Sequence, residues 1–270
     1  MSKKSLIYVV VFASLIAAAF FIYSSVKRSS TPLPLSISAD SVVLKRGCVS
    51  ADSSCLYISF QFPVVKGVSN QTISMFLYTD YLQAIGDSSK VEFSGTIHDY
   101  LKRITLQYDS LFTEYQSAFP DGAVNTWYLK ARFDTLYVNS NLLCLEYYTE
   151  NYMGGAHGNY SYHYFNFNPL MGKLVSLSDV FSDMGVFLEK AEDAFRKHFK
   201  LSQGTSLADY WFPNSKFQLP AEFGFSKEGV VLHYNVYEIG PYSDGDIVFT
   251  VPYAEIEPIL MPEFTFLVKP

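Results

Sequence analysis

The segment 56–62 alternates between apolar and polar side chains, starting with Leu56 and Ile58 on the apolar side. A period of two residues is typical of a β-strand that buries one face. The run 37–44 lies before it, across a short polar segment, and can pair with it. The pattern therefore predicts two adjacent strands joined by a short loop.

Three segments instead repeat their apolar residues every three and four positions, which is typical of amphipathic helices. The predicted helices cover residues 70–86, 97–119 and 184–199. Ser94 is the predicted N-cap of the second helix, and Pro120 is its stop. Ser182 or Asp183 is the predicted N-cap of the third helix.

Further strand-like runs follow the second and third helices. They cover residues 127–134, 142–149, 160–167, 174–177, 230–237 and 247–251. Together with the helices they predict an α+β fold with mostly antiparallel sheets and about three packed helices, in two closely associated halves. The predicted divisions are a signal or membrane anchor at 1–28, a linker at 29–35, α+β halves at 36–168 and 169–257, and a tail at 258–270.

An apolar run covers residues 6–23, after Lys3 and Lys4 and before Lys27. Its length lies between that of a cleaved signal and that of a full membrane span, so both interpretations stay open. We favour an uncleaved anchor, with everything after residue 30 outside the membrane. The predicted location is therefore the bacterial cell envelope, with the C-terminal domain extracytoplasmic.

Composition narrows the possible partners. The chain has 270 residues, of which 49% are hydrophobic and 17% aromatic, and its net charge is −6. A large core is expected, and the charge gives no electrostatic reason to bind nucleic acid, so no such partner is predicted.

The three cysteines divide into a pair and a single residue. Cys48 and Cys55 flank a short polar loop, which suits a disulfide in an oxidising compartment, although two half-buried thiols remain the alternative. Cys144 lies in an apolar run and is predicted to be a small buried residue.

A glycine-rich turn is the most distinctive local sequence. Gly154 and Gly155 precede His157, between two predicted strands. Glycine permits backbone conformations that other residues avoid, so a tight turn explains the pattern. Histidine can also bind a ligand or transfer protons, which is the functional alternative. The other histidines show no zinc spacing, and no metal or cofactor is predicted.

Tyrosines surround this turn, and aromatic side chains on a sheet can anchor a partner or simply favour strand structure. No G-x-S-x-G pentapeptide and no phosphate-binding glycine loop occur. No catalytic residue is therefore predicted. The predicted ligand-binding residues are Tyr152, Gly154, Gly155, His157, Asn159 and Tyr242.

Three tracts, 147–158, 168–181 and 237–253, resemble the extracytoplasmic domain of RsiV-type proteins. The N-terminal half of that domain is shared with the non-catalytic part of PdaC-type peptidoglycan deacetylases. The resemblance implies a two-part α+β fold and, for RsiV itself, binding of lysozyme as a signal that releases a sigma factor. Because only about five residues precede the apolar run, an anti-sigma role is not expected.

The leading hypothesis is a non-enzymatic envelope domain that binds a lysozyme-like protein or a cell-wall glycan, such as peptidoglycan, beside the glycine turn. The alternatives are a peptidoglycan hydrolase or deacetylase that uses His157, and a purely structural envelope protein.

Overall fold

The computed structural model describes residues 35–49, 54–66, 76–82, 85, 96–119 and 126–268. The run 6–23, predicted as a membrane helix or signal, lies outside the described residues. No helix in the described part of the chain is long and apolar enough to cross a membrane.

A large sheet contains six strands in the order of the sequence. These are β1 (Ser36–Arg46), β2 (Cys55–Lys66), β3 (Thr126–Val138), β4 (Leu143–Tyr152), β5 (Asn159–Asn168) and β6 (Lys173–Leu174). Neighbouring strands are antiparallel, except for the parallel pair β2 and β3. The predicted α+β class with mostly antiparallel pairing is confirmed.

Two helices lie in the crossover between β2 and β3: α1 (residues 76–82) and α2 (Ile97–Ala118). The N-cap of α2 is Thr96, and not Ser94 as predicted. Thr96 Oγ1 accepts a hydrogen bond from the Asp99 backbone N–H, and the Asp99 carboxylate accepts from the Thr96 N–H. This capping box satisfies two donors at the helix start, which fixes the first residue of the helix.

A small antiparallel sheet follows, made of β7 (Glu222–Phe225), β8 (Gly229–Tyr234) and β9 (Ile247–Pro252). The accompanying helices are α3 (Leu177–Val180), α4 (Met184–His198) and α5 (Tyr253–Ile256). Asp183 caps α4 as predicted, since its Oδ1 accepts from the N–H groups of Gly185 and Val186.

One predicted strand in this part was too long, and one strand was not predicted. The run 174–177 is a strand only at its start, because α3 begins at Leu177 and its cap, Ser176, is paired with Asp179 in a capping box. The strand β7 was not predicted, since its four residues are too few to show alternation.

Each sheet buries its own set of apolar side chains. The large sheet packs against α1 and α2, and its core includes Ile58 from β2 and Leu101 from α2. The small sheet packs against α4, where the ring of Phe195 contacts the rings of Phe212 and Phe249. Burial of these faces is the main favourable contribution to folding.

The two sheets meet along β5, and we call this contact the seam. Glu222 Oε2 accepts from the Tyr164 backbone N–H at 2.9 Å. The Asn235 side chain bonds both the N–H and the C=O of Tyr162, at 2.7 and 2.8 Å. Side chains from the small sheet thus satisfy the open edge of β5, which would otherwise present unpaired backbone groups.

The large sheet has two distinct ends. Ser36 pairs with Lys66 at the end where the N-terminal linker joins, which we call the stalk end. The last residues of β3 and β5 lie at the same end. Cys48 and Cys55 form the predicted disulfide at the opposite, far end, with their Cα atoms 4.5 Å apart. The β4–β5 turn is also at the far end.

Candidate functional site

The turn between β4 and β5 has a backbone that requires glycine. Gly154 and Gly155 have φ angles of 99° and 113°, and a β-carbon at either would meet nothing within 4 Å. Their conformation, and not a lack of space, therefore selects glycine. The hydroxyl of Tyr152 donates to the Gly155 carbonyl at 2.9 Å, which closes the turn.

The exposed ring of His157 stacks on Tyr242, with centroids 4.2 Å apart and planes inclined by 24°. Its Nδ1 lies 2.7 Å from the Gly158 carbonyl oxygen. Because a carbonyl only accepts, Nδ1 carries the proton there. The Tyr242 hydroxyl donates to the same carbonyl at 3.0 Å. No carboxylate within the described ranges pairs with His157.

Tyr242 comes from a short 3-10 helix, Tyr242–Asp244, which precedes β9 of the small sheet. The structure therefore brings it to the glycine turn from 84 residues away in the sequence. Four of the six predicted site residues meet in two contacts: His157 with Tyr242, and Tyr152 with Gly155. Gly154 lies exposed within the same turn. Asn159 is exposed beside it, where β5 begins opposite Asn151.

The tyrosines around the turn do not share one surface. Tyr147 and Tyr164 are buried, on opposite faces of the large sheet. Five others are half-buried on the face away from α2, and with Tyr242 we call them the tyrosine face. Its members are Tyr128, Tyr148, Tyr152, Tyr160, Tyr162 and Tyr242. The alternation of side chains along β4 and β5 produces this division.

Neighbouring groups hold several rings of the tyrosine face in place. Tyr128 and Tyr152 stack at 5.9 Å. The Lys130 ammonium lies 4.7 Å from the ring centroid of Tyr128, and the Arg132 guanidinium lies 4.7 Å from that of Tyr148. Such contacts occupy one electron-rich face of each ring.

A row of charges runs between these rings. Glu150 forms an ion pair with Lys130 and accepts from the Tyr148 hydroxyl at 2.7 Å. Partial burial opposes ionisation of Glu150, but its bonds to Lys130 and Tyr148 outweigh this and lower its pKa. The tyrosine face is therefore preorganised around an ionised carboxylate.

The second group of interest lies inside the seam. His163 Nδ1 is 2.8 Å from Glu222 Oε1, and Nε2 is 3.0 Å from Asp80 Oδ1. Burial lowers the pKa of His163, and the two carboxylates more than compensate, raising it to about 10. His163 is thus an imidazolium that joins α1, β5 and β7.

His233 lies on the other side of the seam. Its Nδ1 is 2.8 Å from the Tyr164 hydroxyl, and its Nε2 is 2.9 Å from Asp246 Oδ2. The Tyr164 hydroxyl also donates to Glu146 at 2.7 Å. The side chain is 2% exposed, and this burial lowers the pKa of His233 despite the nearby carboxylates.

These polar groups have no signature in the sequence. Glu222 lies 59 residues from His163 and Asp246 lies 86 residues from Tyr160, so no local spacing could reveal the contacts. Within the described ranges, no group of three or more histidine, cysteine or acidic side chains is arranged to hold a metal ion.

The comparisons with known proteins agree with the resemblance seen in the sequence. Residues 49–160 match the family model described as deacetylase PdaC, and residues 178–254 match the model described as protein of unknown function DUF3298. The predicted resemblance to these domains is confirmed. None of the curated proteins compared matches the chain.

Two solved structures share the fold. A DUF3298 family member from Bacteroides fragilis has a TM-score of 0.63 at 19% identity, over 89% of this chain and 98% of that one. A DUF3298 family protein from Pseudomonas aeruginosa PAO1 has a TM-score of 0.54 at 20% identity, over 86% of this chain and 96% of that one. At these identities the likeness shows the architecture alone.

Proposed function

We propose that this chain is a non-enzymatic binding domain of the bacterial cell envelope, attached through residues 6–23, which recognises its ligand on the tyrosine face beside the glycine turn. The observation that carries the proposal is the setting of His157. Its ring is exposed and stacked on Tyr242, and its Nδ1 is engaged by a backbone carbonyl. The Nε2 atom remains free, but the side chain is exposed, and no carboxylate of the described residues pairs with it to orient it as a general acid or base.

The two histidines that do contact carboxylates have a different role. His233 is almost fully enclosed, and His163 is held between Asp80 and Glu222. Neither arrangement offers a substrate an open approach, and each is accounted for by the joining of the two sheets. Acid and base chemistry is therefore not the best explanation for these residues.

The tyrosine face favours a protein ligand over a glycan. Sugar rings stack on open aromatic faces, but Tyr128 and Tyr148 have a face covered by Lys130 and Arg132, and Tyr242 is covered by His157. Rigid tyrosine edges flanked by charged groups are typical of protein interfaces. The resemblance to RsiV-type domains makes a lysozyme-like protein the expected partner, and the net charge of −6 suits a basic one.

A retention experiment tests the proposal. The full chain, immobilised in mild detergent, is mixed in separate assays with lysozyme and with solubilised peptidoglycan. We expect lysozyme to be retained in a salt-dependent manner, because part of the attraction is electrostatic. Retention of peptidoglycan without retention of lysozyme would mean that the ligand is a glycan and not a protein. Retention of neither would contradict the binding function.

A further inference from the structure

The stalk end of the large sheet carries a group of exposed apolar side chains. Leu170 and Met171, in the turn between β5 and β6, are 60% and 57% exposed. Leu174 on β6 and Val138 at the end of β3 are also exposed. Single exposed apolar residues are ordinary, but several at one end of a domain indicate a surface that is covered by something else.

The N-terminal linker reaches the domain at this same end. Ser36, the first residue of β1, pairs with Lys66, and β3 and β5 end at the same end of the sheet, with β5 separated from β2 by β3 and β4. The predicted linker 29–35, together with residues 24–28 before it, connects Ser36 to the apolar run 6–23 over twelve residues. A linker of this length spans at most about 40 Å when fully extended. If the run is anchored in a bilayer, the linker keeps the stalk end near the lipid surface.

A groove at the stalk end adds to the apolar surface. It has a volume of about 830 Å³ and lies between the end of β3 and the 3-10 helix Pro262–Leu267. Leu136, Tyr137 and Phe266 line it, and the exposed side chain of Lys227 lies at its rim. The groove shares Val138 of β3 with the first group and extends the apolar surface onto the 3-10 helix Pro262–Leu267.

Lysines accompany these apolar residues. Lys66, Lys173 and Lys227 are exposed; Lys173 is paired with Asp179 at 2.7 Å, and Glu228 and Glu257 line the groove together with Lys227. Apolar tips next to lysines are typical of surfaces that lie in a bilayer interface, where the apolar groups enter the lipid and the ammonium groups stay among the headgroups.

We propose that the stalk end rests on a lipid bilayer, with Leu170 and Met171 inserted into its interface. In this orientation the far end of the large sheet, with the glycine turn and the neighbouring part of the tyrosine face, points away from the membrane. The proposal depends on the membrane attachment included in the proposed function, but not on the identity of the ligand.

Two methionines at opposite ends of the large sheet provide a matched test. Met171→Cys and Met153→Cys place a single reactive thiol at positions that are 57% and 45% exposed. Cys144 is buried and the other two cysteines form a disulfide, so the unsubstituted chain is the control for background labelling. Each full-length variant is labelled with an environment-sensitive fluorophore and reconstituted in phosphatidylethanolamine–phosphatidylglycerol vesicles.

We expect the label at position 171 to show blue-shifted emission and strong quenching by spin-labelled lipid, and the label at 153 to show neither. Equal, water-like emission at both positions would overturn the proposal, as would failure of the chain to float with the vesicles. A blue shift at position 171 without quenching by the lipid would also overturn the proposal, because it would mean that a second protein, and not the bilayer, covers this surface. Loss of lysozyme retention would contradict the proposed function while leaving this measurement unchanged.

Discussion

The seam and the glycine turn both contain histidine and tyrosine, but they use them differently. In the seam, His163 lies between two carboxylates, and its pKa is raised to about 10. In the turn, His157 is exposed and contacts a tyrosine ring and a backbone carbonyl. The comparison suggests that ionisable groups join the two sheets, while exposed aromatic groups are available to a ligand. Substitutions in each region should therefore affect different properties.

The largest effect is expected from Glu222→Ala. The substitution removes the partner of the His163 imidazolium and the acceptor for the Tyr164 backbone N–H. Breaking one side of a buried pair leaves the other charge unpaired, so the free energy of unfolding should fall by about 3 kcal/mol. Denaturant titration of the full chain in detergent measures this value.

Glu228→Ala is the matched control, because Glu228 is exposed on the turn that joins β7 to β8. Its effect should stay within about 0.5 kcal/mol. Equal losses in the two variants would show that the seam ion pair does not contribute to stability.

The second prediction concerns pH. The pKa of His163 is raised in the folded chain, so its contribution is fully present below the ordinary histidine pKa and is lost as the pH rises towards 10. Between pH 7 and 9 the free energy of unfolding should decrease by up to about 1.4 kcal/mol per pH unit. This window lies below the titration of tyrosines in the unfolded chain.

His163→Gln should remove this decrease between pH 7 and 9, since the glutamine side chain does not titrate. The comparison of the two pH profiles isolates His163 from the other groups. If the stability of the variant decreased with pH in parallel with that of the original chain, His163 would not be the charged group that causes the decrease.

The same comparison shows what the sequence could reveal. Alternation predicted most strands, the apolar spacing predicted α4 and its cap Asp183, and the cysteine spacing predicted the disulfide. These features depend on residues close together in the chain. Tyr242 was predicted as a ligand-binding residue, but no local pattern placed it at the glycine turn, which it contacts from a distant segment.

The seam could not be predicted, because its partners come from distant segments. Asp80 lies on α1 and Glu222 on the short strand β7, and neither has a local pattern that points to His163. The division of the tyrosines between faces was available from strand alternation, since Tyr147 and Tyr148 must point in opposite directions. The sequence analysis grouped them around the turn instead.

The third prediction addresses the turn. Tyr242→Ala removes the ring that supports His157 and the hydroxyl that bonds the Gly158 carbonyl. If the ligand binds here, its affinity should fall about tenfold, as for the loss of one central aromatic contact. Titration of lysozyme against the immobilised chain measures the change.

Leu170→Ala is the control for this affinity measurement, because Leu170 is exposed at the opposite end of the large sheet. It should leave the affinity for lysozyme unchanged in detergent. An equal loss of affinity for lysozyme in both variants would mean that lysozyme does not bind at the glycine turn.

The smallest effect is expected from His157→Ala on stability. The ring is exposed, and the carbonyl that it contacts keeps its bond from the Tyr242 hydroxyl. The free energy of unfolding should therefore change by less than about 0.5 kcal/mol, as for other surface positions. The same denaturant titration used for the seam variants provides the measurement.

A loss comparable to that of Glu222→Ala would mean that the turn helps to hold the two sheets together through Tyr242. In that case, weaker ligand binding in Tyr242→Ala could result from a disturbed seam and would no longer locate the binding site. If His157→Ala leaves the stability unchanged and Tyr242→Ala weakens lysozyme binding, two conclusions follow. The seam holds the two sheets together, and the glycine turn binds the ligand.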